Sequence, residues 1–134
     1  MQILALDHLV LRVADLEGMV GFYTRVLGLG LDRRVPELGL VHLRAGRSML
    51  DLIAVSGPLG IPGGAAPGAE GRNLDHLCLR IGPFDEAALR ERFAAHGVTL
   101  SEVHDNYGAE GRGPSVYLQD PEGNVIELKG PSKG

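Results

Sequence analysis

Four residues in this chain have the types and the spacing to do chemistry together: His8, Asp51, His76 and Glu127. His8 lies in LDHLVLRV (6–13) and His76 in LDHLCLRI (74–81), two stretches 68 positions apart that share six of eight letters. Asp51 and Glu127 each stand alone among aliphatic residues, in MLDLI and VIELK, 76 positions apart. A carboxylate placed mid-strand among aliphatics is costly unless it is paired or bound to a metal. Two imidazoles and two carboxylates form a borderline-to-hard ligand set. Such a set suits Zn, Ni, Mn, Co or Fe(II) better than a soft copper or iron–sulfur site, which wants thiolates. Four protein ligands on a six-coordinate ion leave two positions for water or for neighbouring substrate oxygens. The ion then acts as a Lewis acid while a carboxylate moves protons. A single strand histidine is usually a core or surface residue; the recurrence of the set at matching places tips the reading toward a ligand.

The elements that must position these residues repeat as well. Alternation along a strand puts His8, Val10 and Arg12 on one face, with Asp7, Leu9, Leu11 and Val13 on the other. His76, Cys78 and Arg80 follow the same rule in the second copy. Asp15 can cap a helix reaching Leu27, with Leu16, Met19, Val20, Tyr23, Val26 and Leu27 at helical spacing and Gly28 as the stop. Strands are expected over 31–35, 38–44 and 48–55, with Gly39 and Gly46 as turn signals. Residues 56–72 carry six glycines and three prolines, which no regular element tolerates, so they read as a linker or a lid. After the second strand Asp85 caps a helix to His96, Glu86 and Arg90 can pair at i,i+4, and Gly97 ends it. Strands are then expected over 99–103, 115–119 and 125–129, the last two joined by a turn at Asp120–Asn124. Two copies of a strand-helix-three-strand unit explain these steady offsets. The organisation is therefore repeat one over 1–55, the linker over 56–72 and repeat two over 73–130 of one α+β domain.

A length of 134 residues allows one domain with a real core. The net charge of -4 speaks against sequence-independent nucleic-acid binding, which needs a basic face. The one cysteine, Cys78, cannot form an intrachain disulfide and, mid-strand, reads as a buried inert thiol. No charged leader precedes an apolar run and no stretch approaches membrane length, so a soluble cytoplasmic protein with no membrane partner is expected.

The two-fold plan, the strand histidines, the segment ADLEGMVGFYTRVLGL (14–29) and DPEGNVIEL (120–128) together resemble the vicinal oxygen chelate superfamily, the glyoxalase, extradiol dioxygenase and bleomycin-resistance group. The resemblance covers nearly the whole chain. It implies two βαβββ units whose sheets form curved half-barrels around a divalent metal ion, commonly in a homodimer. By position, His8, His76 and Glu127 match the ligands most members share, and Asp51 falls where glyoxalase I has a glutamate. The shorter arm of Asp51 leaves Glu127 as the candidate proton carrier. Arg12 matches an arginine that helps hold glutathione, against the plain alternative of a strand arginine bonded to a neighbour. The stretch YGAEGRGPSVYLQDPEGN (107–124) is similar to the glycine-rich loop of fosfomycin-modifying members. On that likeness Tyr107, Arg112, Ser115 and Tyr117 are candidate substrate contacts, while Glu110 reads as an ordinary loop residue. The resemblance implies a metal-dependent lyase or isomerase that acts on a small oxygenated substrate, with or without a thiol cosubstrate, through a metal-stabilised oxyanion or enediolate. An Fe(II) extradiol dioxygenase, a fosfomycin-type thiol transferase and a metal-free drug-binding protein are the alternatives. His42, His96 and His104 have no counterpart in the opposite half.

Overall fold

A computed structural model describes residues 1–133. Asp15 and Asp85 start the two helices as the sequence predicts. Each carboxylate accepts the backbone N–H three residues on, from Gly18 at 3.0 Å and from Ala88 at 3.1 Å, which satisfies a donor that a helix start leaves open. Helix α1 spans Leu16–Gly21 and continues as a π-helical turn over Phe22–Val26; α2 spans Glu86–Ala94. Both are followed by a glycine in the left-handed region, Gly28 at φ 81° and Gly97 at φ 70°. A side chain at either position would strain the helix exit.

The strands are β1 (His8–Val13), β2 (Gly30–Val35), β3 (Leu40–Ala45), β4 (Ser48–Ala54), β5 (Leu77–Arg80), β6 (His104–Gly108), β7 (Gly111–Gln119) and β8 (Val125–Lys129). They form two four-stranded sheets, ordered β1-β4-β3-β2 and β5-β8-β7-β6. In each sheet the first strand runs parallel to the last and the other pairs are antiparallel. This is the strand-helix-three-strand plan twice over, an α+β fold with two open sheets and no closed barrel. The chain divides into two compact units, Met1–Arg72 and Asn73–Gly134, so the glycine- and proline-rich stretch falls with the first.

Alternation decides which face of each sheet is dry. In the first unit Leu11, Val13, Val41, Leu43, Leu50 and Leu52 are buried, as are Met19, Val20 and Tyr23 of the helix. In the second unit Leu77, Val116, Leu118, Ile126 and Leu128 are buried, and Phe93 is the one buried residue of α2. Each such side chain contributes about 1.5–3 kcal/mol when fully removed from water. The intervening residues of the same strands point the other way, and they include Asp51 and Glu127.

Four expectations are corrected. Residues 99–103 form no strand; the strand lies at 104–108, in the polar run HDNYG, because β7 supplies its hydrogen-bonding partners. The stretch 107–124 is largely the β6–β7 hairpin and β7 itself, with its glycines inside or beside strands. Cys78 is exposed, since its register opposite Glu127 puts it on the polar face. The first strand of each repeat is also shorter than expected, so Asp7 and His76 lie just outside β1 and β5.

Candidate functional site

In the first unit His8 pairs with Met49 and Val10 with Asp51 across the parallel β1–β4 ladder, so His8 and Asp51 share a face. His8 Nδ1 lies 2.7 Å from Asp7 Oδ2. That hydrogen bond raises the imidazole above its ordinary value; desolvation opposes the rise, and the charges of Asp51 and Asp7 add to it. Asp51 is only 5% exposed. Its Oδ1 sits 3.0 Å from His42 Nδ1, directly across the β3–β4 pair, yet the angle makes no hydrogen bond and the atom has no donor. Leaving a buried carboxylate oxygen unpaired is costly.

In the second unit the carboxylate is crowded with donors. Glu127 Oε2 accepts from Ser115 Oγ at 2.6 Å and from Asn106 Nδ2 at 3.1 Å. Its Oε1 faces the Tyr117 hydroxyl at 3.3 Å and His76 Nε2 at 3.2 Å. Asn106 Nδ2 also donates to the Tyr117 hydroxyl at 2.8 Å, so one amide braces both groups. Burial alone would raise the Glu127 carboxyl, but the bonds from Ser115, Asn106 and Tyr117, with the charge of His76, bring it below the ordinary value. Tyr117 is pushed up, by burial first and by the Glu127 charge second. Burial and Glu127 likewise push the Cys78 thiol up to about 11. His76 Nδ1 lies 2.7 Å from Asp75 Oδ2, the same arrangement as at His8.

No group of three or more His, Cys, Asp or Glu side chains is assembled as a cage for an ion among the described residues; within the first unit His42 and Asp51 form a pair, and within the second His76 and Glu127 do. The donors nonetheless fit a divalent cation. Asp51 presents an orphaned buried oxygen. His76 Nε2 and Glu127 Oε1 stand 3.2 Å apart, near the separation of about 3 Å between neighbouring ligands on an ion with bonds of about 2.1 Å.

The other candidates distribute differently. Ser115 and Tyr117 face Glu127, as above. Tyr107 and Arg112 pair with each other across the β6–β7 hairpin, and alternation puts both on the face opposite Asn106 and Glu127. Tyr107 is 77% exposed, and Arg112 donates to the Asp105 carbonyl at 3.3 Å. Arg12 spends its guanidinium on the first unit's own backbone, donating to the carbonyls of Gly60, Gly64 and Ala65. Glu110, at the hairpin tip, accepts from Arg80 Nε at 2.5 Å.

Sequence reasoning missed Asp7, Asp75, His42 and Asn106. Counting outward from the turn at Gly46–Arg47 pairs His42 with Asp51, a signal that was available. Asn106 was hidden by the misplaced third strand.

The sequence profile of the glyoxalase/bleomycin resistance protein/dioxygenase superfamily matches residues 5–128. The chain belongs to that superfamily. Among solved structures it is similar to a protein from the mobile metagenome of V. Pseudocholerae, at 29% identity and a TM-score of 0.78, covering 99% of this chain and 98% of that one. It is also similar to lactoylglutathione lyase from Agrobacterium tumefaciens, at 27% identity and 0.66, covering 94% and 92%. TnmS3, an antibiotic binding protein from Streptomyces sp. CB03234, matches at 26% identity and 0.69, covering 98% and 99%. An enzyme and a binding protein thus share this superfamily architecture. No described helix is long and apolar enough to cross a membrane.

Proposed function

We propose that this superfamily member is a divalent-metal-dependent enzyme of glyoxalase type acting on a small oxygenated substrate, with or without a thiol cosubstrate. The observation that carries the reading is His76 Nε2 beside Glu127 Oε1, with the far nitrogen of the ring already committed to Asp75. The proposed ligands are His8, Asp51, His76 and Glu127; the donor set admits Zn, Ni, Mn, Co or Fe(II). When bound, the ion supplies Lewis-acid stabilisation of negative charge growing on a substrate oxygen.

The chain's own residues do the rest. Ser115 and Asn106 anchor Glu127 Oε2, which leaves Oε1 as the atom that would face an ion and, when not bound to it, would take a proton from substrate and return it. Tyr117, a phenol with a raised pKa, accepts from Asn106 and gives its one hydroxyl proton to Glu127 Oε1, so it would hold that oxygen in place. Tyr107 and Arg112, on the face opposite Glu127, would touch only a part of the substrate that reaches past the hairpin edge. Arg12 would act by holding the 60–65 stretch. The exposed Ile3, Leu4 and Leu6 favour a homodimer, in which such surface is covered.

The second reading is a binding protein that sequesters a small molecule, favoured by the likeness to an antibiotic binding protein. Elemental analysis of the purified protein, with wild type against Glu127→Gln in a methylglyoxal–glutathione assay, separates the two. The enzyme reading expects about one ion per chain and a loss in the variant on the order of 10²–10⁴. A metal-loaded wild type without turnover removes lactoylglutathione chemistry. A metal-free protein whose ligand binding survives His8→Ala supports sequestration. An Fe(II) dioxygenase would require iron, so a redox-silent native ion excludes it.

A further inference from the structure

The sequence DH occurs at the start of both repeats, and the structure gives the aspartate the same job each time. Asp7 Oδ2 lies 2.7 Å from His8 Nδ1, and Asp75 Oδ2 lies 2.7 Å from His76 Nδ1. Strand alternation would send neighbouring side chains to opposite faces. Each aspartate, however, lies just before its strand. At the first copy the Asp7 carbonyl accepts Met49 N–H at 3.1 Å, which fixes the backbone beside β4 while the side chain turns back to the ring. The aspartate side chains are 92% and 97% exposed, and exposed ion pairs of this kind add little to stability. What such a contact does determine is which ring nitrogen carries the proton and where the other one points.

We propose that Asp7 and Asp75 are positioning residues, each holding the Nδ1 proton of the histidine that follows it so that Nε2 is presented, unprotonated and aimed, as the metal-ligating nitrogen. In the second unit that nitrogen is the one found 3.2 Å from Glu127 Oε1. A carboxylate behind the ring also makes the imidazole a stronger donor to a cation, and loss of such partners typically weakens metal affinity ten- to a hundredfold. The inference rests on the metal reading above.

The experiment uses the full chain, as wild type and as Asp7→Ala, Asp75→Ala and the two Asp→Asn variants. Nitrogen-15 NMR of labelled imidazoles in metal-free protein, at a pH above the ordinary histidine range, reads the tautomer; Co²⁺ titration reads the affinity. Wild type is expected to hold the His8 ring as Nδ1–H. At His76 the Glu127 carboxylate 3.2 Å from Nε2 competes for the proton, so that ring is expected as Nδ1–H in a Glu127→Gln background, in which its Asp75 variants are read. Each alanine variant should shift its own ring toward the other tautomer and weaken Co²⁺ binding about ten- to a hundredfold. Asparagine keeps an acceptor and should recover part of both effects. Alanine variants with unchanged tautomers and Co²⁺ affinity within about twofold of wild type would overturn the inference while leaving the metal site standing. Wild type that takes up no Co²⁺ overturns the metal reading and, with it, the ligating role assigned here.

Discussion

Replacing Ser115 by alanine tests whether Glu127 is held as an anion by its hydrogen bonds. Ser115 is fully buried and Glu127 is 5% exposed, and the 2.6 Å contact between them is short. The change removes one oxygen and opens little space, so the loss is mainly that of a hydrogen bond to a charged acceptor, about 1.5–3 kcal/mol. With a urea dependence of about 1–3 kcal/mol per molar, the unfolding midpoint should fall by about 1 M near neutral pH. The sign of the pH dependence follows from the lowered carboxyl. A group whose folded pKa is depressed stabilises fully above its unfolded value, here 4.5, and loses that contribution as pH falls through the folded value. The gap between wild type and Ser115→Ala should therefore be widest at neutral pH and close as pH falls below 4.5 and through the lower folded value. A double-mutant cycle with Glu127→Gln isolates the pair. If alanine costs the same in both backgrounds, or if the gap ignores pH, Ser115 acts through packing and the account of Glu127 is wrong.

Three further outcomes are expected. Arg12→Met breaks four hydrogen bonds to the 60–65 backbone, so amide exchange at Gly60–Gly64 should quicken on the order of tenfold, read by deuterium uptake; unchanged exchange would mean the stretch holds itself. Cys78, exposed but with its thiol pushed up to about 11, should alkylate at pH 8 roughly a hundredfold slower than a free cysteine, and Glu127→Gln should speed it. Asp120 is buried and accepts from Glu122 N and Asn124 N at 2.9 Å and from Asn124 Nδ2 at 2.7 Å. Asp120→Ala should cost about 2–3 kcal/mol in thermal or urea unfolding, and Asp120→Asn clearly less.

What the sequence made legible was whatever local chemistry decides. Asp15 and Asp85 cap because a side-chain oxygen there meets an open N–H, and Gly28 and Gly97 stop because only glycine sits easily at positive φ. The carboxylates of LDL and IEL fall on the polar faces because strand period is two. What failed was whatever distant pairing decides. HDNYG at 104–108 has no strand propensity to speak of, and it is a strand because β7 lies beside it. The glycines at 108, 111 and 113 read as loop, yet Gly108 and Gly113 lie against the Lys129 side chain that crosses the hairpin to the Gly111 carbonyl at 2.9 Å. Cys78 was misread through residue type alone, although the alternation that placed His76 and Arg80 had already put it on the polar side.

The duplication has also diverged in a way that bears on how a cation would be used. Both repeats keep the aspartate–histidine step and a buried carboxylate on the strand beside it. Across from Asp51 stands His42, whose ring offers no aligned donor. Across from Glu127 stands Tyr117, with Ser115 and Asn106 completing the cradle. Glu127 is thus already stabilised as an anion by the protein, while Asp51 carries the cost of burial with one oxygen unserved. A bound ion would relieve that cost in the first unit and would have to compete with existing hydrogen bonds in the second. Ligation should therefore stabilise the first unit more, while Glu127 is held in the ionised form a base needs, at the cost of lower basicity from the same hydrogen bonds.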